Sequence, residues 1–125
     1  MAFMLDTHTF LWWLADDSRL PTGVRDRIKA PENQVFVSAA TGWEISIKKA
    51  LGKLEAPDEI ASLLDEEGFQ EMPISFVHGQ MAGHLPSIHR DPFDRMLVAQ
   101  CQAHGLTLLT RDENIPRYEV ATFWA

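Results

Sequence analysis

Two carboxylates follow short apolar runs that predict β-strands. Asp6 comes directly after Ala2–Leu5, and Asp112 comes two residues after Leu106–Thr110. In open α/β sheets, ligands bind beyond the carboxyl ends of the strands, so both acids stand where a site is expected. The alternative is that each Asp only starts a turn or caps a helix, positions that Asp favours.

A third carboxylate, Glu44, lies in the apolar stripe of a predicted helix that follows Ser38. The stripe has intervals of three and four residues and comprises Ala40, Trp43, Ile47, Ala50 and Leu51. A carboxylate on this face must be paired or bind a cation, because burying it alone costs several kcal/mol. We favour a metal ligand over the alternative, an ion pair with Lys48 one turn later.

Two more acids, Asp91 and Asp94, flank Pro92 and Phe93. Asp before Pro is typical of a helix N-cap, and an acid three residues later also suits the helix dipole. Asp94 shares a helix face with the apolar residues Leu97 and Val98, which favours an inward orientation. We therefore assign Asp91 mainly to capping and Asp94 mainly to a site.

Carboxylates gathered at one edge of a sheet repel each other unless a proton or a cation neutralises them. All-oxygen ligation suits Mg²⁺ or Mn²⁺, and such sites activate water to cleave phosphodiester bonds. The single cysteine, Cys101, excludes a multi-cysteine zinc site. His78, His84 and His89 are spaced by six and five residues and match no zinc motif, so we expect them at the surface.

The elements that must position these acids alternate along the chain. Strands are predicted at residues 2–5, 34–37, 69–74, 106–110 and 120–123, and helices at 9–15, 21–29, 39–51, 57–67, 75–84 and 91–104. This alternation predicts an α/β fold, with a mostly parallel central sheet flanked by helices in a three-layer sandwich. A length of 125 residues predicts a single domain over residues 1–125.

The overall charge is acidic. Eleven Lys and Arg against 18 Asp and Glu give a formal charge of −7, which argues against binding nucleic acid by charge alone. Part of that excess belongs to the candidate site. The longest apolar run, Phe10–Ala15, cannot span a bilayer, so we expect a cytoplasmic protein without a membrane partner.

Four segments in order resemble PIN-domain ribonucleases, and specifically VapC-type toxins of bacterial toxin–antitoxin pairs. They are Leu5-Asp6-Thr7-His8 with Phe10–Leu14, Ser38-Ala39-Ala40 with Trp43-Glu44-Ile45 and Lys48–Leu54, Arg90–Gln100, and Leu109-Thr110-Arg111-Asp112. The resemblance covers nearly the whole chain. It implies a PIN-like sandwich and an Mg²⁺- or Mn²⁺-dependent ribonuclease that acts as a toxin.

The resemblance also implies roles for individual residues. Asp6, Glu44, Asp94 and Asp112 match the four metal-holding acids of the family, and Thr7, Ser38 and Thr110 match small polar residues that line the same pocket. Three arginines lie close in sequence to these positions and are candidates for contacting RNA phosphates: Arg90, Arg95 and Arg111.

Implied partners are an RNA substrate, a cognate antitoxin and a second copy of the chain, with no DNA contact from the toxin itself. The first helix has five consecutive large apolar residues, Phe10–Leu14, and a single core cannot take them all. We therefore expect Trp12 or Trp13 to be exposed in the monomer and to lie at a dimer or antitoxin interface.

Two other functions remain open. A receiver domain of a signalling pathway has a similar length and an acidic pocket at its strand ends, although Thr7 here replaces the second acid of its adjacent pair. A catalytically silent protein-binding domain is the other alternative, although all four acids are present.

Overall fold

All five strands of the sheet are parallel. The computed structural model describes residues 1–125, and its strand order is β3-β2-β1-β4-β5. The strands are β1 (Ala2–Leu5), β2 (Gln34–Ser38), β3 (Gln70–Met72), β4 (Thr107–Leu109) and β5 (Thr122–Phe123). The helices are α1 (Thr7–Leu14), α2 (Thr22–Lys29), α3 (Ala39–Ala50), α4 (Ile60–Glu67), α5 (Phe76–His84) and α6 (Pro92–His104). The predicted α/β class with a parallel central sheet is confirmed.

The central strand β1 shows why the sheet is covered on both faces. Phe3 and Leu5 pack into one apolar cluster, whereas Met4, between them, packs into a second cluster with Leu108. Successive side chains of a strand point to opposite faces, so a fully apolar strand needs a layer of helices on each side. No helix has the length and apolar character needed to cross a membrane.

The strand order places a switch point between β1 and β4. Connections from β1 lead outward through β2 to β3, whereas β4 and β5 continue the sheet on the other side of β1. Crevices at such points are where open α/β sheets bind ligands. In the sheet, Leu5 is in register with Leu109. The residues that follow them, Asp6 and Thr110, therefore lie side by side at the ends of adjacent strands. The order also differs from the 2-1-3-4-5 order of receiver domains, which argues against that alternative.

Two predictions about local structure are wrong. Helix α4 begins at Ile60 rather than residue 57. Helix α3 buries its positions 40, 41, 44 and 45, so Trp43 and Leu51 are each 63% exposed rather than part of the buried stripe. The buried stripe is displaced because α3 packs against α6 as well as the sheet, and Trp43 instead contacts the ring edge of Phe93.

Candidate active site

All four predicted acids line one cleft at the carboxyl ends of the strands. The cleft has a volume of about 470 Å³. Its lining comprises Asp6, Thr7, His8, Trp12, Glu44, Lys48, His89, Asp91, Asp94, Arg111 and Asp112. Five carboxylates therefore face one space, together with only two permanently charged cations, Lys48 and Arg111.

Asp6 is held by the first helix and by the strand beside it. It is 6% exposed and caps α1, with Oδ1 accepting the amide hydrogen of Thr9 at 2.9 Å. Its Oδ2 accepts the hydroxyl hydrogen of Thr110 at 2.6 Å. Burial raises the pKa of Asp6 above its ordinary value, and these hydrogen bonds offset only part of that effect. The predicted supporting residue Thr110 thus contacts the acid directly.

Glu44 is equally enclosed, with 5% exposure. Its Oε1 accepts the hydroxyl hydrogen of Thr7 at 2.5 Å, and its Oε2 pairs with Nζ of Lys48 at 2.5 Å. The ion pair that we disfavoured from the sequence is therefore present. It does not exclude metal binding, because each carboxylate oxygen has a second lone pair and Lys48 is 38% exposed at the cleft.

The N-terminus of α6 carries two acids, of which Asp91 has the predicted capping role. Oδ1 of Asp91 caps the helix by accepting the amide hydrogens of Phe93 at 2.8 Å and Asp94 at 3.2 Å. Burial, followed by the negative charges of Asp91 and Asp6, raises the pKa of Asp94 to about 7. Burial is the larger of these causes, and the neighbouring carboxylates add to it.

Asp112 lies in the turn after β4. Its Oδ1 accepts the amide hydrogens of Asn114 at 2.7 Å and Ile115 at 3.2 Å, and its Oδ2 lies 3.2 Å from Nε2 of His89. Burial raises the pKa of Asp112, but the bonds from Asn114, His89 and Ile115 outweigh it, so the pKa lies below its ordinary value. Asp112 is therefore ionised beside the more weakly acidic Asp94.

His89 is the site residue that the sequence analysis missed. Its side chain is 18% exposed, and Nε2 lies 3.1 Å from Oδ2 of Asp94 as well as 3.2 Å from Asp112. The expectation of a surface histidine is wrong here, and it is wrong for His78, which is 6% exposed and contacts His104. The only signal for His89 was its place two residues before the Asp91 cap.

Two of the three candidate arginines lie outside the cleft. The guanidinium of Arg95 donates to the carbonyl oxygens of Ala82, Leu85 and Pro86 at 2.8 to 3.1 Å, so it holds the loop between α5 and α6. Arg90 is exposed and lines a neighbouring depression. Of the three, only Arg111 lines the acidic cleft.

Ser38 and Thr7, predicted together as pocket residues, have different positions. Ser38 is buried and caps α3 by accepting the amide hydrogen of Ala40 at 3.0 Å, and it does not line the cleft. Its hydroxyl oxygen is engaged by its own helix, and its predicted role beside the metal site stays a prediction. Thr7 lines the cleft and contacts Glu44.

The tryptophans of α1 are both partly buried, so neither is enclosed and neither is fully exposed. Trp12 lies at the rim of the cleft, with the guanidinium of Arg19 4.7 Å and that of Arg111 5.7 Å from its ring centre. Trp13 packs against Phe69 and donates its indole hydrogen to Glu67 at 3.1 Å. Their predicted place at an interface stays a prediction.

The donor set fits a divalent cation. Ligand atoms of His89, Asp94 and Asp112 all lie within 4.8 Å of one another, and the carboxylates of Asp6 and Glu44 line the same cleft. The raised pKa of Asp94 supports this interpretation, because a cation supplies the positive charge that the surrounding side chains lack. Oxygen-rich sites of this kind suit Mg²⁺ and Mn²⁺.

Known proteins share this fold and sequence pattern. The PIN domain family matches residues 3–121, nearly the whole chain. The chain is 26% identical over 115 residues to ribonuclease VapC22 of Mycobacterium tuberculosis, a match that covers 90% of this chain and 88% of that protein.

Solved structures of other proteins have a similar fold. VapBC2 from Rickettsia felis, bound to a DNA fragment from its promoter, matches 100% of both chains with a TM-score of 0.74 and 17% identity. DNA-bound VapBC from Salmonella typhimurium matches 98% of this chain and 97% of that chain with a TM-score of 0.71 and 18% identity. The predicted PIN-like sandwich and the predicted resemblance to VapC-type proteins are confirmed.

Proposed function

The chain belongs to the PIN-domain family, and we propose that it is a metal-dependent endoribonuclease that acts as the toxin of a toxin–antitoxin pair. The observation that carries the proposal is the convergence of Asp6, Glu44, Asp94 and Asp112 on one cleft at the switch point of the sheet. The similarity to ribonuclease VapC22 supports RNA as the substrate.

The four acids are the residues that would hold Mg²⁺ or Mn²⁺. When bound, the ion lowers the pKa of a water molecule and stabilises charge on the phosphate. Thr110 and the amide of Thr9 fix the orientation of Asp6, so that its carboxylate is placed before substrate arrives. Hydrogen bonds that hold a ligand in this way strengthen a metal site.

A second set of side chains is suited to bind the substrate. Thr7 and Lys48 fix the orientation of Glu44 in the cleft, and the exposed part of Lys48 adds a positive charge there. Arg111 is exposed at the rim beside Trp12, where its charge can contact a phosphate of the RNA backbone. The acidic lining would repel RNA without a cation, so metal and substrate binding are expected to depend on each other.

Cleavage of RNA by the purified protein tests the enzymatic part. We expect cleavage of bacterial RNA with Mg²⁺ or Mn²⁺ and none with EDTA. Because the nucleophile is water rather than the neighbouring 2′-hydroxyl, the products should lack 2′,3′-cyclic phosphates. Full activity in EDTA, or cyclic-phosphate products, would contradict a metal-dependent hydrolysis.

Growth measurements test the toxin part. Solved relatives are toxin–antitoxin complexes, including one from Klebsiella pneumoniae that matches 88% of this chain with a TM-score of 0.62 and 19% identity. Expression of the chain alone should arrest bacterial growth, and Asp94→Asn should remove the arrest. Co-expression of the antitoxin, sought in the reading frame beside the gene, should restore growth. Normal growth with folded wild-type protein would reject the toxin role but not the nuclease.

The proposed antitoxin acts at the same cleft. A positively charged side chain from the partner would reach the carboxylates and block the ion or the RNA. A homodimer is likewise part of the proposal, and Trp12 or Trp13 of α1 is expected at the dimer or the antitoxin interface. A catalytically silent binding domain remains the second candidate: it predicts a stable partner complex but no RNA cleavage under any metal condition.

A further inference from the structure

We propose that His89 is a direct ligand of the catalytic ion, through Nε2, and that this nitrogen makes the site prefer Mn²⁺ and other transition-metal ions over Mg²⁺. The inference rests on the proposed function, since it concerns the same ion. It adds a residue that the four-carboxylate pattern of the sequence does not include.

The first argument is the spacing of the donor atoms. Nε2 of His89 lies 3.1 Å from Oδ2 of Asp94 and 3.2 Å from Oδ2 of Asp112. An octahedral ion with ligands at about 2.1 Å holds neighbouring ligand atoms about 3 Å apart. Nε2 therefore already lies at the distance of an adjacent ligand from each carboxylate, and ligand atoms of the three residues all lie within 4.8 Å of one another.

The second argument is that the backbone of His89 is fixed from several sides. Its amide donates to the hydroxyl of Tyr118 at 2.8 Å, and Tyr118 is 4% exposed. The guanidinium of Arg95 lies 3.4 Å from the carbonyl oxygen of His89 and also binds three carbonyl oxygens nearby. Such supports hold a ligand side chain in position before the ion arrives.

Ion binding requires a change in the hydrogen bonds of the His89 ring. The amide of Asp91 donates to Nδ1 at a long 3.3 Å, which leaves the hydrogen on Nε2, between the two carboxylates. Ligation requires the neutral ring to carry its hydrogen on Nδ1 instead, so the amide of Asp91 then faces a donor and must turn to water or another acceptor. The ion replaces the hydrogen that Asp94 and Asp112 now share.

The chemical consequence is selectivity among divalent ions. Carboxylates alone suit Mg²⁺ and Mn²⁺ alike, whereas imidazole binds transition metals better than it binds Mg²⁺. A site with one imidazole among its carboxylates therefore gains affinity for Mn²⁺ relative to Mg²⁺.

Electron spin-echo spectroscopy of bound Mn²⁺ tests the ligand directly, because a coordinated imidazole couples its ¹⁴N nucleus to the metal electrons. The wild-type protein with one equivalent of Mn²⁺ should show this coupling. His89→Asn should lose it, whereas His8→Asn, which changes the other histidine of the cleft, should keep it. Labelling the wild-type protein with ¹⁵N-histidine should shift the coupling, which shows that a histidine binds the ion even if one variant fails to fold, and the variant that folds then assigns it to His89 or His8.

Affinity measurements complete the test. His89→Asn should weaken Mn²⁺ binding about 10-fold and Mg²⁺ binding much less, while His84→Asn, which changes an exposed histidine outside the cleft, alters neither. Mn²⁺ that binds without a ¹⁴N coupling overturns the role of His89 but leaves the proposed nuclease intact. Failure of the wild-type protein to bind Mn²⁺ at all contradicts both.

Discussion

The acidic cleft has two halves that are built differently. The inner half, Asp6 and Glu44, is almost enclosed, and each of its four carboxylate oxygens accepts a hydrogen bond or an ion pair from the protein. The outer half, Asp94 and Asp112, has side chains that are 19% and 29% exposed and is bridged by His89.

The two halves differ because the protein core positions the inner acids, whereas loops position the outer acids. Asp6 directly follows β1, the central strand of the sheet, and Glu44 lies in α3, which packs against the sheet. Hydroxyl groups of threonines hold both carboxylates. The outer acids depend on the loop before α6, which Arg95 holds, and on the turn after β4. We therefore expect substitutions in the inner half to affect only the binding of the ion. Substitutions around the outer half should also change the position of the loop.

The sharpest contrast lies between two neighbouring acids of the outer half. Asp94→Asn should reduce RNA cleavage by roughly 1,000-fold or more, because a carboxylate that holds the ion becomes a neutral amide. Asp91→Asn should reduce it only a few-fold, because Asn is as good a helix cap as Asp. Steady-state cleavage rates at saturating Mn²⁺ measure both, and equal losses would show that the two acids share one role.

The loop support of the outer half is tested by its arginine. Arg95→Met removes several hydrogen bonds from a charged donor to carbonyl oxygens and should lower the free energy of unfolding by about 3 kcal/mol. It should also lower cleavage about 10-fold, because His89 and Asp94 lose their fixed position.

The matched control is Arg90→Met, which changes an exposed arginine in the same segment. Its unfolding free energy should stay within about 0.5 kcal/mol of the wild-type value. Urea denaturation gives both values. A stable, fully active Arg95→Met protein would show that the loop is held by other contacts.

A smaller effect should appear in the stability of the metal-free protein. Burial and the charges of Asp91, Asp6 and Glu44 raise the pKa of Asp94 to about 7, against the lowering effect of His89. The folded protein then binds a proton more tightly than the unfolded chain does. The contribution of Asp94 to stability is therefore greatest below about pH 4 and is lost as pH rises to about 7.

Comparison with Asp94→Asn isolates this contribution. At pH 8 the variant should be more stable than the metal-free wild-type protein by roughly 2 kcal/mol, and at pH 4 the two should be similar. Thermal unfolding in EDTA across this range measures the difference. If the difference in stability between the two proteins does not change with pH, the raised pKa belongs to another group.

Much of the fold follows from the sequence because the strands are apolar and the helices have clear ends. Asp91-Pro92 and Gly105 mark the limits of α6, and Gly105 has the positive φ of 66° that favours glycine. Which face of α3 is buried could not be predicted from the spacing of its apolar residues alone. Trp43 fits the apolar stripe in sequence, but the position of α6 decides which side of the helix is covered.

The inner half was predictable because one of its acids follows a strand and the other lies on an apolar helix face. Asp6 follows β1, and Glu44 interrupts an apolar face, so local sequence identifies both. The role of His89 could not be predicted from local sequence, because its position depends on Tyr118, 29 residues away, and on the hydrogen bonds of Arg95. The contacts of Arg95 were unpredictable for the same reason, because a charged residue beside an acid gives no local sign that it holds a loop.

The central claim is that carboxylates of both halves hold the one ion that RNA cleavage requires. The most direct measurement is calorimetric Mn²⁺ binding, with RNA cleavage assayed on the same samples, for the wild-type protein and Asp6→Asn, which changes the half remote from His89. We predict that Asp6→Asn weakens Mn²⁺ binding at least about 10-fold and abolishes cleavage while the unfolding temperature stays the same or rises. Unchanged Mn²⁺ affinity, or cleavage at the wild-type rate, in the folded variant would contradict the account.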